Sequence, residues 1–203
     1  MTRFALGWLA TVVSTFVIFT AVERALPRRR APIRWRAIAI GAGLLAVNAA
    51  VSSALASTPS PATMGRSVVA LLAVELVTYW VHRALHQVPL LWRFHRVHHV
   101  DEPLTWAMAW WHHPVDVALF TLAIGATTWI VGAPLPAVLG SLLALRAWNV
   151  VMHTNIAWPA SRLDHVLATP SFHHRHHRED LASANFAATL PMIDRVFGTW
   201  RAS

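Results

Sequence analysis

Five apolar stretches, at roughly 4–22, 36–56, 67–85, 115–132 and 135–152, dominate the chain and leave it few folds to choose from. Each approaches the roughly 20 residues that an α-helix needs to cross the hydrocarbon core of a bilayer. Without water to satisfy the backbone there, only helices and closed barrels span, and no alternating polar–apolar run suggests strands. Charged residues make up 13% of the 203, against about 25% in soluble domains. The expected fold is therefore all-α, an integral membrane helical bundle. About three full spans plus a helical hairpin fit into one domain, 1–203. The apolar run from Phe4 to Val22 is longer than a signal-peptide core, and no small-residue cleavage site precedes Glu23. It reads as a retained span. Ser57 to Pro61 is a polar, helix-breaking linker, and Gly132 to Pro136 is a tight turn that closes the hairpin.

Charge sets the orientation. Arg24, Arg28, Arg29, Arg30, Arg34 and Arg36 lie between the first two stretches, so that loop is expected in the cytoplasm. Counting spans from there puts 87–114 and everything from His153 onward on the same face. The net charge of +8 is what anionic head groups attract at that face, and no nucleic-acid partner is expected of a chain this apolar.

All thirteen histidines fall on that cytoplasmic side or at its interface. His82 and His86 are four apart and share a helix face. His95, His98 and His99 repeat the i, i+3, i+4 spacing, and His173, His176 and His177 repeat it again. His113, before Pro114, and His153, at the inner end of the fifth stretch, are single candidates. These are too many imidazoles for one ion of four to six ligands, whereas two ions would use them well. Imidazole binds Fe, Zn, Cu and Ni alike, so ligand type alone does not choose the metal. A lone histidine near a helix end is usually an ordinary interfacial residue, and His112, His165 and His174 are set apart on that ground. Trp106, Trp110 and Trp111 read either as interfacial anchors or as the lining of an apolar channel.

Other chemistries fit worse. The chain has no cysteine, which removes disulfides, thiolate zinc sites and iron–sulfur clusters. It has no H-E-x-x-H, no E-x-x-H, no glycine-rich phosphate loop and no G-x-S-x-G elbow. A membrane metal transporter or metal-binding protein would also explain many histidines, but it predicts polar residues spaced through several spans, and the first two carry almost none. A bis-histidine haem carrier expects facing histidines within spans, not clusters at one face.

The ordered motifs resemble the fatty acid hydroxylase superfamily, also called the sterol desaturase family. They begin with Glu75, Tyr79, His82 and His86, continue through Leu91 to His99, and include His113-Pro-Val-Asp116 and His153 to Ile156. The set closes with Thr169 to His177, Asn185-Phe186 and Leu190 to Thr199. The resemblance covers about 75–200 and marks 67–203 as the catalytic region, with 1–66 as N-terminal spans. It implies a cytosolic histidine-rich helical cap over two iron ions, O2 as co-substrate, and hydroxylation or desaturation of a lipid in the bilayer. With no fused cytochrome b5-like domain, electrons are expected from a separate electron-transfer protein. The implied ligands are His82, His86, His95, His98, His99, His113, His153, His173, His176 and His177. Glu75, Tyr79, Asp116, Arg146, Asn149 and Asp194 are candidates to orient them, and Asp164, Glu179 and Asp180 are further acids near the motifs.

Overall fold

The structure, a computed structural model, describes residues 3–55, 64–100, 103–133, 135–178 and 183–202. The linker Ser57–Pro61, Pro134 of the hairpin turn, Glu179 and Asp180 lie outside them. All five apolar stretches are helical: α1 (Arg3–Ala25), α2 (Trp35–Leu55), α3 (Met64–Gln87), α5 (Pro114–Val131) and α6 (Leu135–Met152). Between α3 and α5 lie α4 (Pro89–His99) and a 3-10 turn, Trp106–Trp110. After α6 come a second 3-10 turn, Arg162–His165, then α7 (Pro170–His176) and α8 (Met192–Val196). Two segments, Ser67–Gln87 and Pro114–Val131, are long and apolar enough to cross a membrane.

Proline punctuates the chain where the site is built. Pro89, Pro114 and Pro170 each stand in the first turn of α4, α5 and α7, where a missing N–H costs nothing. Val88, ahead of Pro89, is held extended, as a residue before proline prefers. That breaks the chain between α3 and α4, so the two histidine-bearing helices fold against each other instead of running on. Gly132 ends α5 in the left-handed region at φ 63, a conformation that glycine adopts without Cβ strain.

The bundle closes around the first 3-10 turn. Trp106 and Trp110 are each 5% exposed and pack with Ala37, Ala107, Ala109 and Val150. Phe16 and Phe19 of α1 close on the Trp106 ring. These two tryptophans are thus core residues. Gly41 admits the second ring: a Cβ there would lie 2.7 Å from the Trp110 ring. The contact is with the root of the indole, nearest at Cγ, which cannot swing aside. Gly41→Ala should therefore destabilise the fold by about 1–3 kcal/mol, the cost of overpacking, although alanine is the better helix former. A thermal melt of the detergent-solubilised protein checks this, and an unchanged or raised Tm would contradict the packing.

Candidate metal centre

Nine of the ten expected histidines converge into two adjoining groups. His82, His86, His95, His99 and His176 form one, and His98, His153, His173 and His177 the other. Within each group the facing ring nitrogens lie within 4.8 Å of one another. The His99 and His177 rings stack at 4.2 Å across the boundary. Helix α3 supplies two rings, α4 three, the end of α6 one, and α7 with its C-cap three.

The hydrogen bonds decide where the ring protons sit. His82 Nδ1 donates to the Phe186 carbonyl at 2.8 Å and His176 Nδ1 to the Ala184 carbonyl at 2.8 Å. His98 Nδ1 donates to the Trp111 carbonyl at 3.0 Å and His153 Nδ1 to the Asn149 carbonyl at 2.7 Å. A carbonyl only accepts, so each Nδ1 carries the hydrogen. His95 Nδ1 likewise meets Asp116 Oδ2 at 3.1 Å. Burial holds His98, His99, His173 and His177 well below the usual imidazole range, and brings His153 and His176 down to about 3. A neutral ring with its hydrogen on Nδ1 presents a bare lone pair at Nε2.

Those lone pairs face each other. His153 Nε2 is 3.0 Å from both His98 Nε2 and His173 Nε2, and His173 Nε2 is 3.1 Å from His177 Nε2. Two acceptors at that distance, such as His98 and His153, repel unless a cation lies between them. Two nitrogens bound at right angles to one ion at about 2.1 Å sit about 3.0 Å apart, which matches the spacing. In the other group, Nε2 of His86, His95, His99 and His176 is buried without a hydrogen-bond partner. Such orphaned buried groups are costly, and a metal in each group would satisfy them. The residues therefore fit two ions, with four and five neutral imidazoles to offer.

His113 is the exception. Its Nδ1 accepts from Val115 N at 3.1 Å and caps α5, while its ring lies against Phe94. It stands outside both groups, because the residue before an N-terminal proline is the N-cap and its side chain turns back to the helix. Its neighbour His112 faces inward instead, stacked on His98 at 4.0 Å and 3.7 Å from Asp116. The position of Pro114 was the available signal for which of the two histidines turns inward. His165 stacks on Trp200 and meets Arg195, away from both groups. His174 bridges instead, contacting the Thr154 carbonyl and the Arg28 guanidinium, each at 3.0 Å.

The orienting residues divide in the same way. Asp116, fully buried, touches a ring directly. Asn149 acts through its main-chain carbonyl, its side chain reaching the Ala109 carbonyl instead. Asp194 accepts from Phe186 N and Ala187 N, both at 2.8 Å, and so fixes the strand of chain whose carbonyls hold His82 and His176. Glu75 accepts from Thr189 N, and Tyr79 meets Thr199 and Arg83. They brace the same segment at one remove from the rings. Arg146 lies over the Trp110 ring, 6.0 Å from its centre. Asp164 holds α7 in place, accepting from Thr169, Ser171 and Arg175. Burial pushes this carboxyl up, but the three donors outweigh it and bring it below the usual range.

A fatty acid hydroxylase family model matches residues 67–199, about two thirds of the chain. The chain belongs to the fatty acid hydroxylase family. Its relatives include an ornithine lipid hydroxylase of Rhizobium tropici, 32% identical over 66% of this chain and 41% of that protein. The human alkylglycerol monooxygenase is 29% identical over 66% of this chain and 30% of its own length. A very-long-chain aldehyde decarbonylase of Oryza sativa subsp. indica is 28% identical over 95% of this chain and 29% of its own. The chain thus spans less than half the length of these relatives. No solved structure matches it. The matched region carries every histidine of both groups.

Proposed function

We propose that the chain is a membrane-bound, O2-dependent di-iron enzyme that hydroxylates a lipid and draws its electrons from a separate protein. The observation that carries this is the pair of adjoining, buried imidazole groups whose lone pairs converge. Iron bound there would supply the O2-activating oxidant needed to break an unactivated C–H bond. The chain's own part is to fix the ligands: carbonyls of 111, 149, 184 and 186 and the Asp116 carboxylate set the ring tautomers in advance. Such partners orient a ligand and raise its basicity. A metal transporter needs ligands that exchange along a path, and rings locked in this way suit a permanent site.

The position of the site supports a lipid as the substrate. His82 and His86 end α3, and Asp116 begins α5, so the centre caps the two most membrane-like helices. That position suits an alkyl chain presented from the bilayer. The relatives named for an ornithine lipid, an alkylglycerol and a very-long-chain aldehyde fit such a substrate.

Purified protein should hold two transition-metal ions per chain, and elemental analysis giving one or none in folded protein would defeat the proposal. Lipid extracts of cells making the chain should contain a species one oxygen heavier, absent with His176→Ala. A species lighter by two hydrogens would reassign the reaction to desaturation. No change in any lipid, with metal and reductant supplied, would overturn the enzyme reading.

The metal site is proposed to face the cytoplasm. The connection between α1 and α2 and the segment after His153 pair through their backbones. Arg28 N donates to the Asn155 carbonyl at 2.9 Å and Ala157 N to the Leu26 carbonyl at 3.3 Å. The arginine loop and the cap therefore share one end of the bundle, and the positive-inside tendency supports a cytoplasmic location for that end. Reporter fusions at residues 30 and 203 should both report cytoplasm, and a split result would refute the topology.

A further inference from the structure

Outside the metal centre, a cavity of about 460 Å³ opens between the α1–α2 connection and the first 3-10 turn. Its walls include Arg24, Arg29, Arg30, Arg34, Trp106 and Asn155. A positive loop at a membrane face is ordinary, and loose arginines would need no further explanation. This loop is not loose. Asn155 grips residue 29 from both sides: its Oδ1 accepts from Arg29 N at 3.2 Å and its Nδ2 donates to the Arg29 carbonyl at 2.6 Å. Pro27 bridges to Ile156. Glu23 Oε1 accepts from Trp106 N at 2.6 Å and Asn155 N at 2.8 Å, tying α1 to the opposite wall. The loop is thus folded into a walled concavity of ligand size.

Among the described residues, the one carboxylate that lines the cavity, Glu23, is engaged by two backbone amides. The side chains of Arg24 and Arg30 have no hydrogen-bond or ion-pair partner among the described residues. Guanidinium groups gathered in a concavity match the planar, multi-acceptor face of a phosphate. The apolar wall of Trp106, Pro32 and Ile33 suits the glycerol and first methylenes behind it. We propose that this cavity binds the anionic phosphate headgroup of a membrane phospholipid. It does so independently of the metal and of the substrate's alkyl chain, and it seats the cap on the bilayer surface.

Native mass spectrometry of the purified full chain, metal bound, tests this with phosphatidylglycerol, phosphatidylcholine and inorganic phosphate as probes. One phosphatidylglycerol should bind, in preference to phosphatidylcholine. The Arg24→Gln/Arg30→Gln pair should weaken it about twentyfold, from the roughly tenfold or less that each surface arginine contributes. Arg36→Gln/Arg162→Gln removes the same charge outside the cavity and should leave binding unchanged. Equal weakening by both pairs would reduce the site to diffuse surface charge and overturn the proposal, as would equal binding of the two lipids. Inorganic phosphate binding as tightly as the lipid would overturn the lipid assignment. If the glutamine pair fails to fold, Arg24→Lys/Arg30→Lys keeps the charge but not the forked geometry. It should weaken phosphatidylglycerol severalfold, and undiminished binding would count against the site.

Discussion

His98→Ala should remove most of the activity and with it bound metal, while His113→Ala should keep both. The motif resemblance makes the two residues equivalent candidates for ligation; the structure separates them. His98 Nδ1 is held by the Trp111 carbonyl and its Nε2 lies 3.0 Å from that of His153. Loss of a group that merely supports a ligand already costs ~10–100-fold, so loss of the ligand itself should exceed about 100-fold in turnover. His113 instead caps α5 through Val115 N, and its loss should cost about 1 kcal/mol of stability. Metal content, product formation and Tm at matched expression separate these outcomes. A His113→Ala protein depleted of metal as severely as His98→Ala would return His113 to the ligand set and break the two-group arrangement.

Much of this was legible from residues alone, for a physical reason. Membrane-length apolar stretches and i, i+3, i+4 histidine spacings are local patterns, and a helix converts each directly into a face. The helix at 67–85 and the clusters at His95–His99 and His173–His177 follow from that alone. What depends on the chain folding back on itself was not legible. Nothing in the spacing separates His98 from His95 and His99, yet His98 joins the second group while its two neighbours join the first. The division arises because the His95 and His99 rings meet His82 and His86 of α3, whereas the His98 ring meets His153. The carbonyls that hold the rings were also hidden, since any residue type supplies a carbonyl. Asn149 was found by its helix-face position, but for its side chain, whereas its backbone does the holding. Trp111 was noted only as a tryptophan, although its main chain fixes His98. His174, which reads as an ordinary interfacial residue, joins α7 to Arg28 and Thr154.

Asn185→Val should lower the metal content from two ions toward one, although residue 185 touches no histidine ring in either group. Asn185 sits at φ 60, the only non-glycine residue with positive φ among the described residues. That kink turns the carbonyls on its two sides, Ala184 and Phe186, onto Nδ1 of His176 and His82. Both rings belong to the first group, so the second should be spared. Asparagine tolerates the left-handed region better than most residues, and an ordinary residue there costs roughly 1–2 kcal/mol. Its side chain also clasps Arg201, accepting from Arg201 N at 2.9 Å and donating to the Arg201 carbonyl at 3.2 Å. Valine forfeits both bonds and is β-branched, which is the worst case for positive φ. Glycine forfeits the bonds but keeps the conformation. The order of metal retention should therefore be wild type, then Asn185→Gly, then Asn185→Val, with product formation falling in step. Elemental analysis reads the metal ratio, and partial occupancy confined to one ion per chain is the signature of losing the first group alone. A valine protein with two ions and full turnover would show that the kink does not position the rings. Equal metal loss in the glycine and valine proteins would place the effect in the Arg201 clasp instead.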